Sequence, residues 1–231
     1  MPVHLIFDLL AVIAALSMGL IVWHWRIKGT GPAQAAIGRA YLSITGLGLT
    51  LGSYLFGTLN LGLSGVPMVG RSVLGALVGA IVAVELYKRT MSIRGSTGGV
   101  FVPVFVTLVV VGRIGCALSG VEDQTYGLPS TLPWAVDMGD GILRHPVALY
   151  ESLTMAAFLG VYLAALARRA PWALRHGFYA MTGFYALQRF LWEFLKPYSP
   201  LIGPLNSFHF LCLGLIVYSV VMFLKSRRHD A

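Results

Sequence analysis

The sequence predicts an all-α integral membrane protein with about seven transmembrane helices, and three observations carry that prediction. Only 11% of the 231 residues are charged and 57% are hydrophobic, whereas a soluble domain carries roughly a quarter charged residues. The mean hydropathy is +0.76. The apolar residues gather into runs of bilayer-spanning length, about 20 residues each, and the Lys and Arg residues cluster between alternate runs.

The first run, 5–25, has no basic segment before it, and Arg26 and Lys28 come afterwards. That order is the reverse of a cleavable signal peptide, so a retained helix is expected. The runs at 41–63 and 68–87 carry Gly48 with Gly52 and Gly75 with Gly79. Glycines four apart on a membrane helix let a second backbone approach closely. The fourth run, 97–118, contains GRIG at 112–115. A loop at about 119–146 follows, with Glu122, Asp123, Asp137 and Asp140, several turn residues and an interfacial Trp134. It ends in ILRHPVALYESL (142–153), which leads into the fifth run, 147–167. The sixth, 175–195, holds Arg189 and Glu193, and the seventh covers 204–224. No long linker, low-complexity tract or internal repeat interrupts the chain, so residues 1–231 are expected to form a single polytopic membrane domain.

Orientation follows from the basic residues. Twelve of the 17 Lys and Arg fall between runs one and two, three and four, five and six, or after run seven. The opposite side has only Arg144 and Lys196. The N-terminus is therefore expected in the periplasm and the C-terminus in the cytoplasm of a bacterium, with the protein in the inner membrane. The +8 net charge is then topological, and no clustered, aromatic-studded basic surface suggests nucleic acid. Cys116 and Cys212 lie in apolar runs and read as packing residues.

Some charges remain inside the apolar runs, where each costs about 2.5–3.5 kcal/mol near a helix centre. Glu85 has Lys88 and Arg89 beside it and reads as an interfacial ion pair. Arg71, near the outer end of its run, can snorkel or serve a site. Arg189 and Glu193 share a helix face, which Tyr185 extends by a turn. Arg113 stands between Gly112 and Gly115, where its forked donors have room for an anion. Two readings stay open: the charges pair with one another to orient the bundle, or they form a site for a phospholipid head group. Glu151, Glu193 and His145 would then bind hydroxyls or move protons.

Three stretches resemble the prolipoprotein diacylglyceryl transferases: GRIG at 112–115, RHPVALYE at 144–151 and YALQRFLWEF at 185–194. The resemblance implies transfer of a diacylglyceryl group from phosphatidylglycerol to a lipobox cysteine thiol, releasing glycerol phosphate. No cofactor or metal is implied. Arg113 and Arg189 match the family's essential arginines, and Glu151 and Glu193 its carboxylates. Arg144, Tyr150, Ser119, Gly120, Tyr185 and Arg71 are the expected substrate-binding residues. The chain departs from the family pattern at several positions. Leu74 in RSVLGALVG (71–79) replaces the histidine of the family's third core helix. Cys116 and Ser119 replace asparagines, Val121 replaces a glutamate that Glu122 follows by one place, and Asp8 lies near a first-helix tyrosine. A free thiol is mostly protonated at neutral pH and needs a base. His145, Glu122 and Asp8 are the candidates. A catalytically silent relative that binds phospholipid or a partner membrane protein is the alternative expectation.

Overall fold

A computed structural model describes residues 2–30, 34 and 36–230, apart from the side chains of Pro2, Asp123 and residues 227–230. Asp123 among the loop acids, and Arg227 and Arg228 among the basic residues, therefore lie outside the described side chains. The helices are α1 (Pro2–Val22), α2 (Arg39–Leu63), α3 (Val73–Thr90), α4 (Val102–Leu118), α5 (Val147–Ala167), α6 (Pro171–Arg175), α7 (Gly177–Glu193) and α8 (Ser207–Asp230). A π-helical turn, Trp23–Ile27, continues α1, and a 3₁₀ turn, Gly98–Phe101, leads into α4. The described residues thus form an all-α membrane protein.

Five of these helices are long and apolar enough to cross a membrane: α1 with its π turn, α2, α4 with its lead-in, α5 and α8. The runs expected at 68–87 and 175–195 form helices that start later. The chain stays non-helical through a tight turn at Met68 until Ser72, whose Oγ accepts a hydrogen bond from Gly75 N–H at 3.0 Å and caps α3. Glu85, Lys88 and Arg89 add three charges to that 18-residue helix. The sixth run is broken at His176, between α6 and α7. Gly177 there lies against the ring of Tyr162, where an added Cβ would come within 2.8 Å of Cε2.

The chain divides into two compact units. One holds α2, α3 and α8. In it α2 and α3 run antiparallel, and both predicted glycine pairs meet across the contact: Gly48 faces Gly79, and Gly52 faces Gly75 and Gly79. A Cβ on Gly52 would lie 2.8 Å from the Gly79 Cα, so only missing side chains allow this approach. Arg71 and Leu74 belong to this unit. Arg71 is exposed with its backbone against Gly57, and Leu74 is fully buried. Ser207 Oγ donates to Asn60 Oδ1 at 2.6 Å, tying α8 to α2.

The other unit holds α1, α4, α5, α6, α7 and the loop between α4 and α5. Here α1 runs antiparallel to α4, with Phe7 on Gly115, Ala11 on Gly112 and Gly19 on Val104. The Ser152 hydroxyl donates to the Val110 carbonyl at 2.7 Å and fixes α5 on α4.

Candidate functional site

The sequence brings charge to one end of this second unit from three helices. Arg113 lies in the last turns of α4, Glu151 near the start of α5, and Arg189 and Glu193 at the end of α7. Each helix end adjoins the loop 119–146 or the segment after α7, so the charges meet at the loop-bearing end. Glu151 is the hub. Its Oε2 lies 2.7 Å from Arg113 Nε, and its Oε1 takes both Arg189 Nη1 and Lys196 Nζ, the latter at 2.9 Å. Arg189 Nη2 also reaches Glu193 Oε2 at 2.8 Å. All five are buried, with Glu151 at 0% exposure and Lys196 at 4%. Such ions persist only where partners repay their desolvation.

Lys196 was absent from the sequence-based site and read as a loop lysine on the outer side. The signal was present, because Tyr185, Arg189, Glu193 and Lys196 follow one helical stripe at spacings of four, four and three. The short segment after α7 carries that stripe inward past the helix end. Tyr185 is also fully buried, with its ring edge-on to Phe105 at 5.0 Å. Beside the cluster Gln188 is buried, and its Oε1 accepts from the Thr154 hydroxyl at 3.2 Å.

The other predicted residues lie around this core. Tyr150, one of the expected substrate-binding residues, turns into the loop while its neighbour Glu151 meets the arginines. Its hydroxyl accepts from Trp134 Nε1 at 2.7 Å and stands 3.4 Å from His145 Nδ1, while its ring packs on Trp192. Successive helix residues point about 100° apart, so one enters the cluster and its neighbour the rim. Arg144 spends its donors on the loop: Nε and Nη2 on Asp140 Oδ2 (3.1 and 2.6 Å), and Nη1 on the Gly127 carbonyl (3.2 Å). Its guanidinium also lies over the Tyr126 ring at 4.8 Å. That hydrogen-bonded pairing holds the Asp140 carboxyl below its ordinary pKa and raises that of Arg144. Ser119 Oγ donates to the Gly115 carbonyl and ends α4. Gly120 then turns the chain at φ +69, where a side chain would strike the Met138 carbonyl. Glu122 is exposed just beyond.

The loop is anchored at both ends. Val136–Asp137 pairs antiparallel with Leu143–Arg144, and Asp137 Oδ1 accepts from the backbone of Gly139, Asp140 and Gly141. Leu128 N–H bonds the Leu195 carbonyl at 2.7 Å, and His145 N–H bonds the Leu128 carbonyl at 3.0 Å. The segment that delivers Lys196 is therefore held by the loop that precedes Glu151.

Apolar helices long enough to cross a membrane, with a buried cluster of three cations and two carboxylates, define an integral membrane protein. The profile of the family described as prolipoprotein diacylglyceryl transferase matches residues 8–225, and the chain belongs to that family. Curated phosphatidylglycerol–prolipoprotein diacylglyceryl transferases are similar to it. That of Methylococcus capsulatus is 32% identical over 66% of this chain and 60% of the relative. That of Nitratidesulfovibrio vulgaris is 33% identical over 70% of this chain and 62% of the relative. That of Bacillus cytotoxicus is 28% identical, over 69% and 62%. The aligned part of the chain spans about 60% of the length of these relatives. No solved structure matches it significantly.

Proposed function

We propose that this chain transfers a diacylglyceryl group from phosphatidylglycerol to the cysteine thiol of a lipoprotein precursor. The observation that carries the reading is an imbalance of buried charge. Among the described side chains, Arg113, Arg189 and Lys196 pair with two carboxylates, Glu151 and Glu193. Charges that served only to orient helices would balance, whereas a surplus cation favours an anion, and a phosphodiester head group is the anion a membrane supplies. The arginine forks take the phosphate oxygens. As the bond from glycerol carbon to phosphate oxygen breaks, charge gathers on the departing phosphate, and the same cations stabilise it. Relieved of part of its cations, Glu151 accepts from a head-group hydroxyl, while Glu193 keeps Arg189 oriented. Tyr185 lines the stripe, and Arg144, Tyr150, Ser119, Gly120 and His145 form the rim, with Glu122 outside it.

The reading includes seven spans in one polytopic domain, with the N-terminus periplasmic and the loop 119–146 facing the periplasm of an inner membrane. The basic residues between alternate helices support it. Leu74, which has no atom able to accept a proton, favours the second reading of a silent, lipid-binding relative. The two separate when purified protein is given labelled phosphatidylglycerol and a lipobox peptide. Release of glycerol phosphate by the wild type, abolished in Arg113→Ala and Arg189→Ala, is the expected result. Lipid that stays bound and intact would reject the transferase.

A further inference from the structure

Helices α5 and α7 meet along a seam of three side-chain pairs. Tyr150 packs on Trp192 with ring centroids 5.2 Å apart, Thr154 meets Gln188, and Phe158 stacks on Phe184 at 5.1 Å. The step is four residues on each helix, in opposite directions, so the pairs follow one face of each. The middle pair is polar, between two aromatic ones. Gln188 is 5% exposed. Its Oε1 accepts from the Thr154 hydroxyl at 3.2 Å, and its Nε2 has no hydrogen-bond partner among the described residues. Buried polar groups are nearly always paired, so this amide donor calls for an acceptor that the chain does not supply.

The position of that donor indicates which acceptor. Thr154 is three residues beyond Glu151 on α5, about 4.5 Å of helix axis further from the loop. Gln188 meets Thr154 at that level, whereas its neighbour Arg189 reaches Glu193, one turn nearer the loop. The amide therefore lies on the side of the ion cluster away from the loop, with the Phe158–Phe184 pair next along the seam. In a diacyl phospholipid the acyl ester carbonyls lie beside the phosphate, on the hydrocarbon side. They accept hydrogen bonds and donate none, so they match an amide N–H without a partner. We propose that Gln188 Nε2 donates to an acyl ester carbonyl of the bound phospholipid and so makes the site selective for ester over ether lipids. The inference rests on the transferase reading above, with the phosphate on Arg113 and Arg189. The ester carbonyl is no part of the C–O bond that breaks. Its hydrogen bond is therefore the same in the ground and transition states and acts on KM rather than kcat.

The test compares glycerol phosphate release from dioleoyl phosphatidylglycerol and from its dialkyl ether analogue, which keeps the head group and chains but lacks both carbonyls. A net neutral hydrogen bond is worth about 2–10-fold in affinity, so wild type should show a KM lower by that factor for the ester lipid. Gln188→Met removes the donor and keeps the side chain's volume, and its KM ratio should fall to about one. Thr154→Val releases Oε1 and lets the amide turn, and should shrink the ratio partway. Each ratio is taken within one variant, so a smaller yield of folded protein cancels. Arg113→Ala should lose activity on both lipids alike. Equal KM values in wild type overturn the inference, and so does a Gln188→Met enzyme that keeps the wild-type preference. Either result leaves the transferase reading standing. A wild type that releases no glycerol phosphate from the ester lipid overturns that reading and this inference with it.

Discussion

Glu151 and Lys196 make opposite contributions to the cluster, although they touch each other. Removing the Glu151 charge leaves Arg113, Arg189 and Lys196 buried with one carboxylate among them, and breaking a buried pair costs about 3–5 kcal/mol. Glu151→Gln should therefore lower the unfolding temperature in detergent markedly. Lys196→Met removes the surplus cation, keeps most of the stem's volume and should change stability by less than about 1 kcal/mol while weakening phosphatidylglycerol binding. Equal destabilisation by the two would show that no charge surplus exists. At this scale the sequence disclosed the helix-borne members, Arg113, Glu151, Arg189 and Glu193, because an ion within an apolar run stands out. It hid Lys196, because a lysine followed by a proline after a helix reads as surface. The Tyr150 rotation also escaped, since motif spacing does not say which of two adjacent residues faces inward.

The α2–α3 contact shows what an element needs from its residues. Gly52 and Gly79 touch backbone to backbone, whereas Gly46 and Gly62 on α2 have open space where a Cβ would go. Gly79→Leu should destabilise by on the order of 1–3 kcal/mol or more through overpacking, while Gly46→Ala and Gly62→Ala should be nearly silent in the same melts. The loop makes a separate prediction. Because the Asp140 pKa is held below its ordinary value, the tie to Arg144 is complete above the unfolded carboxyl pKa of about 3.9. It is lost as pH falls through the depressed value. The Ile142 amide donates to Asp140 Oδ1, so its exchange protection, relative to the intrinsic rate at each pH, should be steady from pH 7 down to about 4 and fall only below that; a change near pH 6 would place the control elsewhere. Among the elements, the periodic apolar runs and both glycine pairs were legible. The later start of α3 and the break at His176 were not, because Ser72 capping and the Tyr162–Gly177 contact depend on tertiary neighbours.

At the scale of the molecule, helix positions were readable from the sequence because lipid admits few alternatives to an apolar helix. The proposed orientation has a direct check: a thiol at Ser130→Cys should react with an impermeant reagent added outside intact cells, and one at Ser92→Cys should not. The reverse pattern would invert the topology. The hub at Glu151 also bears on biogenesis. Glu151 is 38 residues from Arg189, and Arg113 precedes Glu151 by the same interval. At about 5–20 residues per second, α4 emerges with its arginine roughly 2–8 s before the carboxylate that compensates it, and α7 emerges as much later again. An unpartnered arginine resists release into lipid by about 2.5–3.5 kcal/mol, so α4 has reason to stay beside the insertion machinery until α5 arrives. Substitutions at Glu151 should then show first as a defect in how much protein reaches the membrane, before any defect in what it does there.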